Sequence, residues 1–250
     1  MLSLPYEDVS DYAELYDVVA ESKSDGADVD FYVEQANKTD GKVLEVACGT
    51  GRIYLEMLEQ GVDAYGIDIS EAMLEKLRDK AEERGLEPEV EKANMQDFDL
   101  NQKFSLITIP YRSFHHNLTI EDQLSTLETI YEHLEEGGKL ILNFYCPDFD
   151  FISESYGKEM RSDVEGHPEL ELVEYNEIVD PVDMIIEFEK KVLEDGEEKW
   201  SATGRSKMTT KTEFELLLRN SSFSDWEVFG GFDLDELEDS KQEMVWIVER

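Results

Sequence analysis

Two rhythms of apolar and polar positions alternate along this chain, and the switches between them predict a β/α order. Tyr12, Leu15, Tyr16 and Val19 recur at helical spacing, and Val29, Val33 and Ala36 follow after Asp25-Gly26, so residues 6–37 read as helices. Short apolar runs predict strands at residues 42–47, 63–67, 89–92, 104–109 and 139–145, the fourth apolar enough to be buried on both faces. Helical patterns separate them at 52–60, at 71–84 with Ser70 as N-cap and Gly85 as stop, and at 121–134 before a Gly137-Gly138 turn. That alternation predicts an α/β fold, a mostly parallel sheet with helices on both faces.

Residues 148–210 break the rhythm. Met184, Ile186, Phe188 and Val192 alternate with Glu187, Glu189 and Lys191, the pattern of a strand with one wet face. Residues 171–179 and 199–209 read the same way, so this stretch is expected to be a small antiparallel insertion within one domain spanning 1–250. A helix at 212–219, capped by Thr212, and strands at 226–229 and 244–249 complete the pattern.

The candidate chemistry lies where the first two strands end. Val43–Val46 runs into Ala47-Cys48-Gly49-Thr50-Gly51-Arg52, and the second strand ends on Asp68-Ile69-Ser70. An acid about 20 residues past a glycine turn falls where a parallel sheet places a ribose-binding carboxylate, which points to a nucleotide-like ligand. A dinucleotide fingerprint needs a third glycine, and Arg52, Ile53 and Tyr54 stand there instead. A Walker loop's Gly-Lys-Ser/Thr is absent too. Glu45, just upstream, suits a cationic ligand better than a phosphate.

Glu45-x-Ala47-x-Gly49-x-Gly51 resembles the first motif of class I S-adenosylmethionine-dependent methyltransferases, and Asp68 resembles their ribose-binding acid, with Ile69 beside it. The run Ile109-Pro110-Tyr111-Arg112-Ser113-Phe114-His115-His116 resembles a small-molecule subgroup of that family. So do Asn143-Phe144-Tyr145-Cys146-Pro147-Asp148 and Gly230-Gly231-Phe232-Asp233. The resemblance implies a Rossmann-like seven-stranded sheet whose last strand is antiparallel. It also implies S-adenosyl-L-methionine as cofactor and methyl transfer to a small-molecule acceptor. Asn94 and Met95 then fall at the adenine positions, with Asp97 as a second candidate. Tyr16 resembles part of the family's N-terminal lid and, like Arg52, is a candidate for the donor's carboxylate.

Tyr111 and Arg112 are the expected substrate-facing residues. Arg112 would either hold a substrate carboxylate bidentately or pair with a surface acid. His115 and His116 are the candidate bases; a base is needed only if the acceptor arrives protonated. Two rival readings are a non-catalytic S-adenosylmethionine-binding protein and an NAD(P)-dependent oxidoreductase, the latter disfavoured by the missing glycine.

Charge changes the picture of habitat more than of chemistry. Acids number 61 against 23 Lys and Arg, a net charge of −38, yet 40% of residues are hydrophobic, so the chain reads as folded with an acidic surface. This resembles the composition of salt-in halophiles, in whose molar salt the Debye length falls to about 3 Å and self-repulsion is screened. With no basic stripe, nucleic acid is disfavoured as a partner. No stretch is long and apolar enough to span a membrane, and the first residues do not form a basic-then-apolar leader. Cys48 and Cys146 form no metal or disulfide framework, which fits a cytoplasmic protein without a metal. The pattern carries no signature of oligomeric state.

Overall fold

The computed structural model describes residues 10–23 and 26–250. Residues 6–9 of the expected first helix, Asp25 of the following turn and the side chain of Tyr12 lie outside the described residues.

Apolar side chains point alternately to two sides of a strand, and that period divides the core in two. Strand β1 (Val43–Val46) is buried throughout and lies between β2 (Ala64–Asp68) and β4 (Phe104–Ile109), both parallel to it. Its Leu44 and Val46, with Ile107 and Ile109 of β4, join Phe114, Leu127, Phe144 and Trp246 in one apolar layer. Its Val43, with Leu106 of β4, joins Tyr32, Tyr54, Leu74 and Leu77 in the other. Helices α2 (Ala27–Asn37), α3 (Tyr54–Glu59) and α4 (Glu71–Arg84) supply the second layer, and α5 (Ile120–His133) and α7 (Lys211–Asn220) the first.

With β3 (Glu89–Lys92), β5 (Leu134–Tyr145), β10 (Asp225–Gly230) and β11 (Glu243–Glu249), the sheet has seven strands in the order β10-β11-β5-β4-β1-β2-β3. Strand β11 runs antiparallel to both neighbours, as expected. The order reverses between β1 and β4, and a crevice opens at such a switch point, beyond the carboxyl ends of the strands.

A separate antiparallel sheet, β6 (Glu159–Val164), β7 (His167–Asp180), β8 (Ile185–Glu194) and β9 (Glu197–Lys207), forms within the stretch where the rhythm broke. Leu15 and Val19 of α1 (Ser10–Lys23) pack against its Val164, Leu170, Leu172 and Val192. A short helix, α6 (Phe149–Ser155), leads into it.

Three local expectations need correcting. Thr210, not Thr212, caps α7, because it stands three residues before Glu213 and the two form a reciprocal capping box. Gly137, at φ +77°, lies inside β5 rather than in a turn, and the register between β4 and β5 shifts there. Strand β6 escaped the periodicity because its residues are exposed or half-exposed except Val164; it is an edge held by pairing with β7.

Candidate active site

Loops following β1, β2, β3, β4 and β5 converge on one cavity of about 690 Å³, with α1 and the inserted sheet contributing further walls. Its size lies within the range of small-molecule sites, about 300–1,000 Å³.

The glycine turn and the β2 tip are tied together. The backbone N–H of Gly49 donates to Asp68 Oδ2 at 2.9 Å, and that of Ser70 donates to Oδ1 at 2.8 Å. Burial raises the Asp68 carboxyl above its ordinary range, while the amides of Ser70 and Gly49 act against that shift. Asp68 is buried yet lines the cavity, and each carboxylate oxygen has a second lone pair for a ligand hydroxyl.

The two glycines do different work. Gly49 (φ +57°) lines the cavity, and a Cβ there would meet only Tyr16, at 4.0 Å. Gly51 (φ +87°) faces the core instead, where a Cβ would lie 2.8 Å from Leu55 and 2.9 Å from Leu77. Ala47 (φ +59°) and Ile69 also line the cavity.

Glu45 and Arg52 are not among the lining residues. Glu45 is buried beneath the turn, where burial pushes its carboxyl up to about 8 against the pull of Arg52. Arg52 forms a bidentate pair with Asp28, at 2.9 and 2.5 Å, and its guanidinium lies 5.0 Å from the Tyr111 ring centre. Tyr16 lines the cavity and packs edge-on against Tyr111.

At the end of β3, Asn94 and Met95 line the cavity as expected, but Asp97 is exposed and does not. Gln96, which sequence reasoning passed over, lines it instead. Its backbone N–H donates to Asn94 Oδ1 at 3.2 Å, and its Nε2 donates to Asn117 Oδ1 at 3.0 Å. Thr126 also donates to Asn117 Oδ1, which fixes that amide's orientation.

The loop after β4 is strained and braced. Tyr111 (φ +53°) and Arg112 (φ +66°) are consecutive non-glycine residues in the left-handed region, which persists only where surroundings over-determine it. Asn143 Oδ1 accepts from the Tyr111 backbone N–H at 3.0 Å and from Tyr32 Oη at 2.7 Å. Asn143 Nδ2 donates to Glu243, whose carboxylate holds the Arg112 guanidinium bidentately at 2.9 and 2.7 Å. Of the two readings of Arg112, pairing with an acid is the one observed. No local signal marked Glu243; antiparallel pairing of β11 with β5 brings it opposite Tyr145.

Both histidines line the cavity. His115 is 1% exposed, and among the described residues neither of its ring nitrogens has a hydrogen-bond partner. Burial first, then the charges of His116 and Arg112, push it down to about 3, so it is neutral across the physiological range. His116 Nδ1 lies 3.1 Å from the carbonyl oxygen of Arg205, and burial lowers it too. The far wall comes from the inserted sheet, where Glu174 and Lys190 stand 3.7 Å apart. Among the described residues no group of three or more His, Cys, Asp or Glu is placed to hold a metal ion.

Comparison with known proteins fits this geometry. Residues 43–138, from β1 into β5, match the family model described as a methyltransferase domain. The chain is 29% identical over 136 residues to the cypemycin N-terminal methyltransferase of a Streptomyces species, covering 54% of each protein. It is 27% identical over 137 residues to the dTDP-3-amino-3,4,6-trideoxy-α-D-glucopyranose N,N-dimethyltransferase of Streptomyces venezuelae, covering 53% of this chain and 56% of that protein. The chain thus spans about half the length of these curated relatives. An S-adenosylmethionine-dependent methyltransferase structure from Clostridium acetobutylicum ATCC 824 aligns with a TM-score of 0.80 at 19% identity, covering 95% of this chain and 97% of that one. The fold is therefore the Rossmann-like methyltransferase fold.

Proposed function

We propose that this chain binds S-adenosylmethionine and transfers its methyl group to a small-molecule acceptor held in the same cavity. One observation carries the reading: Asp68, fastened by the amides of Gly49 and Ser70, borders a cavity whose glycine turn runs on to Arg52, Ile53 and Tyr54 and so lacks the third glycine that seats a dinucleotide's pyrophosphate. The residues present fit the donor. Asp68 takes the ribose hydroxyls, and the amide cluster of Asn94 and Gln96, with Met95, takes the adenine. Tyr16 and Tyr111 flank the amino-acid end, with Arg52 and Glu45 acting from behind them. When bound, the donor supplies an electrophilic methyl on a cationic sulfur.

The chain's own part is to hold the acceptor close and keep water out, and positioning of that kind supplies much of a rate enhancement. Residues 148–210 act as pocket wall and lid, a role supported by the lining contributions of Ile186, Phe188 and Ser206. The two matched relatives are named as a cypemycin N-terminal methyltransferase and an N,N-dimethyltransferase of a dTDP-amino sugar, which supports a small-molecule or small-group acceptor over nucleic acid.

We also place the protein in the cytoplasm of a salt-accumulating cell, on its acidic composition and its two free cysteines. No described helix is long and apolar enough to cross a membrane. Incubating the protein with methyl-tritiated donor and a desalted metabolite extract tests catalysis. Label in an extractable small molecule supports transfer. Donor binding without label in any product favours a sensor instead.

A further inference from the structure

Resting on that reading, we propose that His115 and Tyr145 form the receiving site for a neutral hydroxyl, and that the methyl acceptor is a weakly acidic hydroxyl on an apolar, ring-bearing body; its oxygen bonds the methyl carbon as the donor's sulfur–carbon bond breaks to leave a neutral thioether, and its proton passes to the open nitrogen of His115. Buried polar groups are hydrogen-bonded as a rule. Here, among the described residues, both ring nitrogens of His115 and the Tyr145 Oη are shielded from solvent and have no partner. The two side chains meet edge to face at 5.0 Å between ring centres, and both residues line the cavity. The groups left open are one imidazole acceptor, one imidazole N–H and one phenolic O–H. A hydroxyl donates and accepts at once, so it can satisfy the imidazole and the phenol together. An ammonium has no lone pair with which to accept from Tyr145.

Charge points the same way. The permanent cation nearest His115 and Tyr145 is Arg112, whose guanidinium lies 5.4 Å from the centre of the Tyr145 ring. Burial keeps His115 itself uncharged. An ammonium would enter beside the Arg112 guanidinium with no unengaged carboxylate to meet it, whereas a phenol-like hydroxyl, with a pKa near 10, arrives neutral. The cavity's carboxylates are engaged elsewhere. Asp68 holds the glycine turn, Asp148 caps α6, and Glu174 stands beside Lys190. The rest of the cavity offers an apolar stretch, Phe151, Ile152, Tyr156, Met160, Ile186 and Phe188, beside the polar Asn176 and Ser206 and the Glu174–Lys190 pair.

Calorimetry on the protein saturated with S-adenosylhomocysteine, in molar KCl, tests this with two probes sharing one ring system, 2-naphthol and 2-naphthylmethylamine. Naphthol is expected to bind at least about tenfold more tightly than the amine. His115→Phe should weaken naphthol by about tenfold, with S-adenosylhomocysteine affinity unchanged, and His115→Gln should restore most of the loss. Tyr145→Phe, which removes only the hydroxyl, gives an independent reading should His115→Phe not fold, and is expected to weaken naphthol several-fold. Equal binding of amine and naphthol, or naphthol affinity indifferent to both substitutions, overturns the hydroxyl site and leaves the donor reading standing. No heat from S-adenosylhomocysteine itself overturns both.

Discussion

Two glycines only one residue apart have separate duties, and a methyl group distinguishes them. Gly51→Ala should cost about 3 kcal/mol of stability, because its Cβ would press on Leu55 and Leu77 at a positive φ. A lowered melting temperature checks it. Gly49→Ala meets no comparable clash, so its main effect should be a loss of ligand affinity read by titration, with a stability cost of about 1 kcal/mol from φ alone. Glu45 makes a second prediction, through pH. Its folded carboxyl is pushed up to about 8, so the folded state holds a proton that the unfolded chain releases near 4.5. The stability this contributes is present below that lower value and is lost as pH rises through about 8. The melting temperature of wild type relative to Glu45→Gln should therefore fall between pH 5 and 8.5; a difference flat with pH contradicts it.

At the scale of elements, α1 forms one wall of the cavity, and Asp17 fastens it to the glycine turn and to α4. Asp17 accepts from Thr50 Oγ1 of the glycine turn at 2.5 Å and pairs with Lys80 and Lys76 of α4 at 2.7 and 3.4 Å. Asp17→Asn should weaken S-adenosylhomocysteine by about tenfold, chiefly through a faster off-rate in stopped-flow release. An unchanged off-rate would count against α1 as a wall of the donor site.

The same element shows what sequence makes legible. Strands β1 to β4, the later part of β5 and helix α4 were readable because their side-chain period and caps are local properties; Ser70 and Gly85 bound α4 as expected. That Asp68, Asn94, Met95, Tyr111 and His115 reach the cavity wall was readable because a motif places them at strand ends. Asp97 was misplaced and Gln96 missed because the loop follows the cavity from Ala93 through Gln96 and turns out to solvent at Asp97, a path that no sequence pattern marks. Glu243 was invisible as a site residue because only the pairing of β11 with β5 brings it to Arg112, 131 residues away along the chain, and Tyr145 stood in a recognised run that assigned it no role. The inserted sheet was legible as antiparallel strands, but not its polar edge β6.

At the scale of the whole molecule, the surface and the cavity answer to different pressures. A net charge of −38 makes compaction costly unless salt screens it. The melting temperature should rise steadily from dilute buffer to molar KCl; the same value at both ends contradicts the halophile reading. The cavity, by contrast, is fixed by short-range contacts that salt of that strength barely touches, so its ligand preference should survive there. The central claim is that the crevice between Gly49 and Asp68 takes a sulfur nucleoside and not a dinucleotide. Titrating S-adenosylhomocysteine and NAD separately into the protein in molar KCl tests it most directly. The account predicts saturable one-site heat from the nucleoside, weakened about 10–100-fold by Asp68→Asn, and none from NAD. Heat from NAD with none from S-adenosylhomocysteine would contradict it.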